Sequence, residues 1–551
     1  MKRVWPPQIA MPLAGSFVLM VLGSLIGLLA SYDPRLSLPW ITWFIVGLAF
    51  YTGIGWYVRN PSHLIRIATG ITIVAALSGL LLAINYRHLN FDPKFALITQ
   101  LGHISSAPFP RLITTHIDAN AAASFLEGPL ILAVGLIFVT HGRWRILWGL
   151  CACIIAYGVL LTASRGAWVA LGGGAMLGVL TLLRTSMYWQ RARFWLLGLA
   201  GTGLLVVALS LLIVPDAWQR AYDAAAYRAI DRLTLYRNST FLALDFPLTG
   251  IGPGATFGQV YAQFQLLILH SFVGYAHNLV LNIGLSQGLL GLIGFIGLIF
   301  MSTRMVMSRL VHANDHTTHV LGWSAAISCA VLLFHGLTDS PQYDTAWATL
   351  LVSFALFGLM IAASRVADNR PLVWPHPTRP WLIAGAVAVS GVLLIGYPTI
   401  VGVSTANIAA VAQAKALLNP ELSEIQREEW YDNAINWTER GLRIAPESIL
   451  LHKRRGSLAL QQNDFTTAIE HLEPVLQTIP DDQATRKALG YAYIWDGQIE
   501  AGVQTISQLD RLTEIHGELE VWPVAWQERG RPDLADQSQQ AAALLIEQSG
   551  Q

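Results

Sequence analysis

The chain has 551 residues, of which 54% are hydrophobic and only 13% charged; soluble domains carry about 25% charged residues, so an ordinary soluble globular protein is excluded. A formal net charge of +1 gives no bulk attraction for nucleic acid. Cys151, Cys153 and Cys329 lie within apolar runs, without zinc-ligand or disulfide spacing, and read as small buried residues.

A membrane-spanning helix needs about 20 apolar residues. Eleven runs qualify, at about 10–31, 38–57, 66–85, 119–140, 146–163, 167–183, 194–214, 278–302, 318–337, 343–363 and 380–403. The first is read as a span and not as a cleaved signal peptide, because a polytopic pattern follows it. With the N-terminus inside, the cytoplasmic loops hold Arg59, Arg66, Arg143, Arg145, Arg184, Arg304 and Arg365 among others, while the opposite short loops hold only Arg35, Arg87, Lys94, Arg111 and Arg165. This bias sets the orientation. The predicted fold is all-α: a polytopic membrane bundle over residues 1–403, with a large outer loop at about 215–277, then a soluble helical domain over 404–551.

In chain order, the polar residues at the predicted outer face start with Asn120, which opens the fourth span in THIDANAAASF. Arg165 follows in LLTASRGAWVAL, where it binds an anion or snorkels to headgroups. In the large loop, Arg228 and Arg232 share a helix face at i, i+4 spacing, and Arg237 is turned partly away. Guanidinium groups bind phosphate bidentately and stay charged when partly buried, so a diphosphate suits them; a solvated face near anionic lipid is the plainer alternative. Gly250, Gly252 and Gly254 around Pro253 permit a tight turn with positive φ, or less readily an anion-binding nest. His277 and Asn278 stand where a span begins. The imidazole can take a proton from a hydroxyl or orient it, and Asn278 can cap the helix. His270 is a second histidine in the loop. Asp339, in FHGLTDSPQYD, can pair with an arginine or orient the histidine.

From about Trp430 the spacing of apolar residues becomes helical and repeats. Pro446 and Pro480, Leu442 and Leu476, and Gly456 and Gly490 are each 34 residues apart. The segment at 452–482 resembles a tetratricopeptide repeat, with a turn at Asn463-Asp464, Ala468 in the second helix and a closing Pro; 490–509 is a weaker copy. Such repeats stack into a surface that holds peptides or partner proteins; a plain helical bundle is the alternative.

Six short strings then stand in order: IDANAAASFLEGPL (117–130), SRGAW (164–168), RLTLY (232–236), PLTGIGPG (247–254), AHN (276–278) and HGLTD (335–339). In this order and at these positions, residues 100–363 resemble the O-antigen ligase and polymerase superfamily. Gln287 departs from the pattern, standing where related sequences carry an acidic residue. The resemblance implies a bacterial inner-membrane, multi-pass glycosyltransferase of envelope polysaccharide or lipopolysaccharide synthesis. A glycan on a polyprenyl diphosphate would pass to an acceptor hydroxyl of a glycan, lipid or protein outside the cytoplasm. His277, Arg165 and Arg232 would be catalytic; Arg237, Arg228, Asn120, Asn278 and Asp339 would bind substrate; no cofactor or metal would be needed. Three alternatives remain: a polysaccharide polymerase, a solute or bicarbonate-type transporter, and a non-catalytic envelope scaffold that holds a protein partner on its repeats. Transporter sites usually lie near the bilayer midplane, often between inverted repeats; here the charge concentrates at the outer face.

Overall fold

A computed structural model describes residues 11–115, 117–185, 231–270, 272–344, 347–368 and 395–549. The predicted span at 194–214, the start of the outer loop, Arg228 and most of the run at 380–403 lie outside the described residues. All regular structure among the described residues is helical.

The membrane part opens with α1 (Met11–Ala30), α2 (Pro34–Tyr57), α3 (Pro61–Asn85), α4 (Ala96–Ser106), α5 (Ala119–Val139), α6 (Arg143–Leu161) and α7 (Arg165–Thr185). Residues 231–245 form α8, and Phe257–Tyr261 forms α9. Then follow α10 (Leu279–Arg309), α11 (His316–Gly336), α12 (Pro341–Asp344), α13 (Trp347–Ala367) and α14 (Tyr397–Leu418). Nine helices among the described residues are long and apolar enough to cross a membrane. The sequence sets their starts: Asp33, Asn60, Asp118, Asn278 and Asp315 each cap a first turn with the side chain, and Pro34 and Pro61 occupy first-turn positions. Both devices satisfy or remove amide donors that a helix start leaves unpaired.

The bundle packs α1 along α10, α5 against α6 and α11, and α2 against α13. Lipid supplies no hydrophobic drive between helices, so close backbone approach matters. A side chain on Gly158 would meet the Cα of Gly79 at 3.0 Å, which is how α6 lies on α3. α10 breaks at Gly288, where φ is 61° and ψ −161°. The segment 247–254 fills this break: Ile251 N donates to Leu285 O at 2.6 Å and Leu289 N to Pro247 O at 2.9 Å. The three glycines of that segment all have positive φ, and a side chain on Gly250 would collide with Leu285 O. They make a packing turn wedged between helices, so the reading as an anion nest is set aside.

Beyond α14 come α15 (Glu424–Ile444), α16 (Ile449–Gln461), α17 (Phe465–Thr478), α18 (Gln483–Trp495), α19 (Ile499–Ile506), α20 (Leu512–Glu528) and α21 (Pro532–Ser549). Successive pairs stack, α16 on α17 and α18 on α19. Asn463 takes the left-handed conformation (φ 60°) that the turn between α16 and α17 requires. α14 runs on to Leu418, past the end of the predicted run at 403, and joins the two regions. Its Asn407 accepts from the amides of Leu248 and Thr249 at 2.9 and 3.3 Å, and its Ala410 and Ala414 share a core with Leu242, Phe246 and Phe264.

Candidate active site

Helix ends carry the site. The N-termini of α5, α7 and α10 meet the C-terminus of α11 at one end of the bundle, and α8 lies across them. Asn278 accepts from Val280 N and Leu281 N at 3.0 and 3.2 Å, which starts α10, and its amide donates to Leu337 O at 3.1 Å. This fixes the residue just before it. His277 sits at φ 51°, a conformation that costs a non-glycine residue about 1–3 kcal/mol and persists only where its surroundings enforce it. The Tyr236 hydroxyl of α8 donates to the His277 carbonyl at 2.9 Å, and the Tyr275 ring packs on the imidazole at 4.1 Å between centroids.

Asp339 is the hub. Its Oδ1 receives His277 Nδ1 at 3.0 Å and Ser340 N at 2.9 Å. Its Oδ2 receives Asn120 Nδ2 at 2.5 Å and faces an Arg232 guanidinium nitrogen at 3.6 Å. Arg232 also donates to Thr338 O. The Asp339 side chain is only 4% exposed. Burial alone would raise its pKa, but the hydrogen bond and charge of His277, then the charge of Arg232, hold the carboxyl below the usual carboxylate value. Burial, and then the nearby Asp339 charge, push the Tyr275 phenol up, so it stays a hydroxyl donor to Asp339. The carboxylate therefore spends its acceptor capacity on protein groups. It suits orienting a neighbour better than taking a substrate proton. His277 is a quarter exposed and borders a cavity, and its Nε2 has no hydrogen bond among the described residues.

The other sequence candidates distribute as follows. Asn120, expected on substrate, is turned onto Asp339. Arg165 is exposed at the first turn of α7, and the adjoining Gly166 packs against Thr338 and His335. Arg237 reaches away from Asp339 to Asp510 at 2.5 Å. His270 is exposed in the loop. Gln287 is fully buried at the break of α10, with neither amide atom bonded. No metal-binding group of His, Cys, Asp or Glu occurs among the described residues.

A second acid–histidine pair lies behind the first. His335 Nδ1 is 3.0 Å from Glu127 Oε2 and 3.1 Å from Ser124 Oγ, and both His335 and Glu127 side chains are fully buried. Both lie inside strings quoted above, HGLTD (335–339) and IDANAAASFLEGPL (117–130), where neither carries an assigned role, although the spacing signals them. Glu127 is seven residues after Asn120, two turns down the same face of α5, and His335 is four before Asp339. An ionisable pair deep in an apolar bundle is a candidate for function.

Two family models match. Residues 149–296 match the O-antigen ligase family. Residues 459–513 match a tetratricopeptide repeat. No curated protein matches the chain. The ligase match takes in Arg165, Arg232 and His277, and the chain therefore combines an O-antigen ligase-like membrane region with C-terminal repeats.

Proposed function

We propose that the protein transfers a glycan from a polyprenyl diphosphate carrier to an acceptor hydroxyl at the extracytoplasmic face of the bacterial inner membrane. The observation that carries this reading is the His277–Asp339 dyad, with Arg232 on the same carboxylate. Asp339 accepts a hydrogen bond from Nδ1–H of His277, which leaves Nε2 as the base. The acceptor hydroxyl gives its proton to Nε2 as its oxygen attacks the anomeric carbon. The bond from that carbon to the diphosphate oxygen breaks, and the electron pair leaves with the polyprenyl diphosphate. Arg232, with a side chain 38% exposed, and Arg165 stabilise the charge growing on that leaving group. Asn120 and Asn278 are positioning residues, holding Asp339 and the loop carbonyls.

Two further features support a lipid-linked donor. A cavity of about 410 Å³ within the bundle is lined by apolar groups such as Phe17, Phe44, Leu279, Ile283 and Phe295, and Leu279 follows Asn278 directly; an isoprenoid chain suits such a lining. The arginine-rich loop ends, with Arg66 beside Tyr57 and Arg365 on Gly55 O, come from the turns opposite the dyad, as a cytoplasmic face should.

The test is the purified protein in lipid with a polyprenyl diphosphate-linked oligosaccharide and candidate acceptors. Polyprenyl diphosphate is released by the wild type and not by His277→Ala. Glycan on a new acceptor identifies a ligase, and a ladder of longer lipid-linked glycans a polymerase. Equal release by wild type and His277→Ala would overturn the assignment.

A further inference from the structure

The dyad opens into a second cavity, also of about 410 Å³, whose walls come from two separate parts of the chain. Arg232, His277 and Phe272 border it on the side of α8 and the outer loop, while α18 and the α19–α20 region close the other side with Lys487, Asp510 and Glu518. The walls are tied by ion pairs: Arg237 with Asp510 at 2.5 Å, and Arg511 with Asp231 at 3.1 Å. Lys487 donates to Leu266 O and to Glu518, each at 2.7 Å, and Arg511 also holds Glu514 at 2.9 Å.

Charge separates the possible occupants. Four cationic and four anionic side chains border the cavity; Arg237, Lys487 and Arg511 are matched to carboxylates of the lining, and Arg232 to Asp339. An anion gains little from such a lining, and so does a cation. What the cavity offers instead is hydrogen-bonding capacity of both signs. Asn238, only 5% exposed, has an unbonded Oδ1, and Arg237 has a buried, unbonded Nε. Buried polar atoms without partners are costly, so a ligand that both donates and accepts is favoured. Glu514 and Glu518 add planar acceptors suited to adjacent hydroxyls, and the exposed Phe272 ring at the rim adds a flat apolar face.

We infer that this cavity binds a neutral saccharide, and that the C-terminal repeats serve as the second wall of the transfer site. The inference rests on the proposed glycan transfer and adds that substrate selection is shared with the repeats. A saccharide reaches this position either from the acceptor or from the donor.

The experiment uses full-length protein in lipid nanodiscs carrying Phe272→Ala and Glu514→Gln together. Both residues are exposed at the cavity edge, so the fold is spared. Arg531→Ala is the control, since its pair with Asp533 at 2.7 Å lies outside the cavity lining. The double variant raises KM for one substrate about tenfold, the equivalent of losing about 1.4 kcal/mol of binding. A rise for the acceptor places the acceptor sugar there, and a rise for the donor places the donor sugar. No rise for either, or an equal rise in Arg531→Ala, overturns the inference while leaving the transferase reading intact. If the wild type transfers nothing, that reading fails, and binding of fluorescently tagged dextran oligosaccharides decides for the cavity. Anisotropy binding that weakens at least tenfold in the double variant upholds it; equal binding, or none to the wild type, overturns it.

Discussion

Two buried aspartates, built from similar parts, serve different ends. Asp339 at the end of the bundle and Asp245 at the base of the repeats are 4% and 2% exposed at the side chain. Each meets basic side chains from distant sequence. Asp339 faces Arg232 and His277, which remain 38% and 26% exposed. Asp245 faces Lys453 at 3.2 Å and Arg454 at 3.2 Å, which are 13% and 3% exposed. Lys453 also reaches Asp482 at 2.9 Å. Burial alone would lower the Lys453 pKa, but the charges of Asp245 and Asp482 hold it above the usual lysine value. The Asp245 network is closed on all sides, so its charges are used up in holding α8 to α16. The Asp339 network ends in groups that face a cavity. Solvent access at the basic groups distinguishes the Asp339 cluster, the proposed site, from the closed Asp245 network.

This contrast can be broken by mutation. The largest effect is expected at His277→Ala, with transfer falling about 10²–10⁴-fold, the range for losing a general base, while the melting temperature stays near that of the wild type. Arg232→Ala should lower turnover by about 10²–10³-fold in the same release assay, and Lys94→Ala, in the exposed loop before α4, should not. A loss in Lys94→Ala equal to that in Arg232→Ala would remove the diphosphate role from Arg232. Asp245→Ala reverses the pattern. Leaving Lys453 and Arg454 buried with one carboxylate fewer should cost about 3–5 kcal/mol, read as earlier unfolding and as protease cleavage between α14 and α16, with residual turnover following the folded fraction.

The smallest effect concerns pH. Asp339 is held below its unfolded value of 3.8. Its stabilising contribution is therefore fully present above that value and lost as pH falls through the lower folded value. The stability difference between wild type and Asp339→Asn should shrink as pH falls below about 3.8 in denaturant titrations. A difference that already shrinks between pH 7 and 5 would mean that the carboxylate is not held this way.

Much of the site was legible because polar residues are conspicuous in an apolar chain. Asn120, Arg232, His277 and Asp339 stand out as polar residues beside apolar runs, and the structure gathers the first three on the carboxylate of the fourth. Arg237 shares their loop yet serves the seam, since five residues from Arg232 turn it to another side of α8. Glu127 and His335 stand in two of the quoted strings but lie inside runs that score as apolar, so local composition assigns them no role. The same averaging ended the last predicted run at 403. Asn407 and Gln413 lower its hydropathy, but both are buried and bonded, Asn407 to the amides of Leu248 and Thr249 and Gln413 to Arg454 and Ser457, so the helix continues to Leu418.

The sequence by itself determined the helical class, most of the spans and the repeat period, because each depends on local composition and spacing: apolar length, capping residues and a 34-residue recurrence. Tertiary structure decided which charges meet. The pairing of Asp339 with Asn120, 219 residues away, the left-handed backbone at His277, and the closure of one cavity by α8 and α18 all depend on helix ends brought together by packing. No local pattern encodes that convergence, because each residue's partner is set by the path of the whole chain.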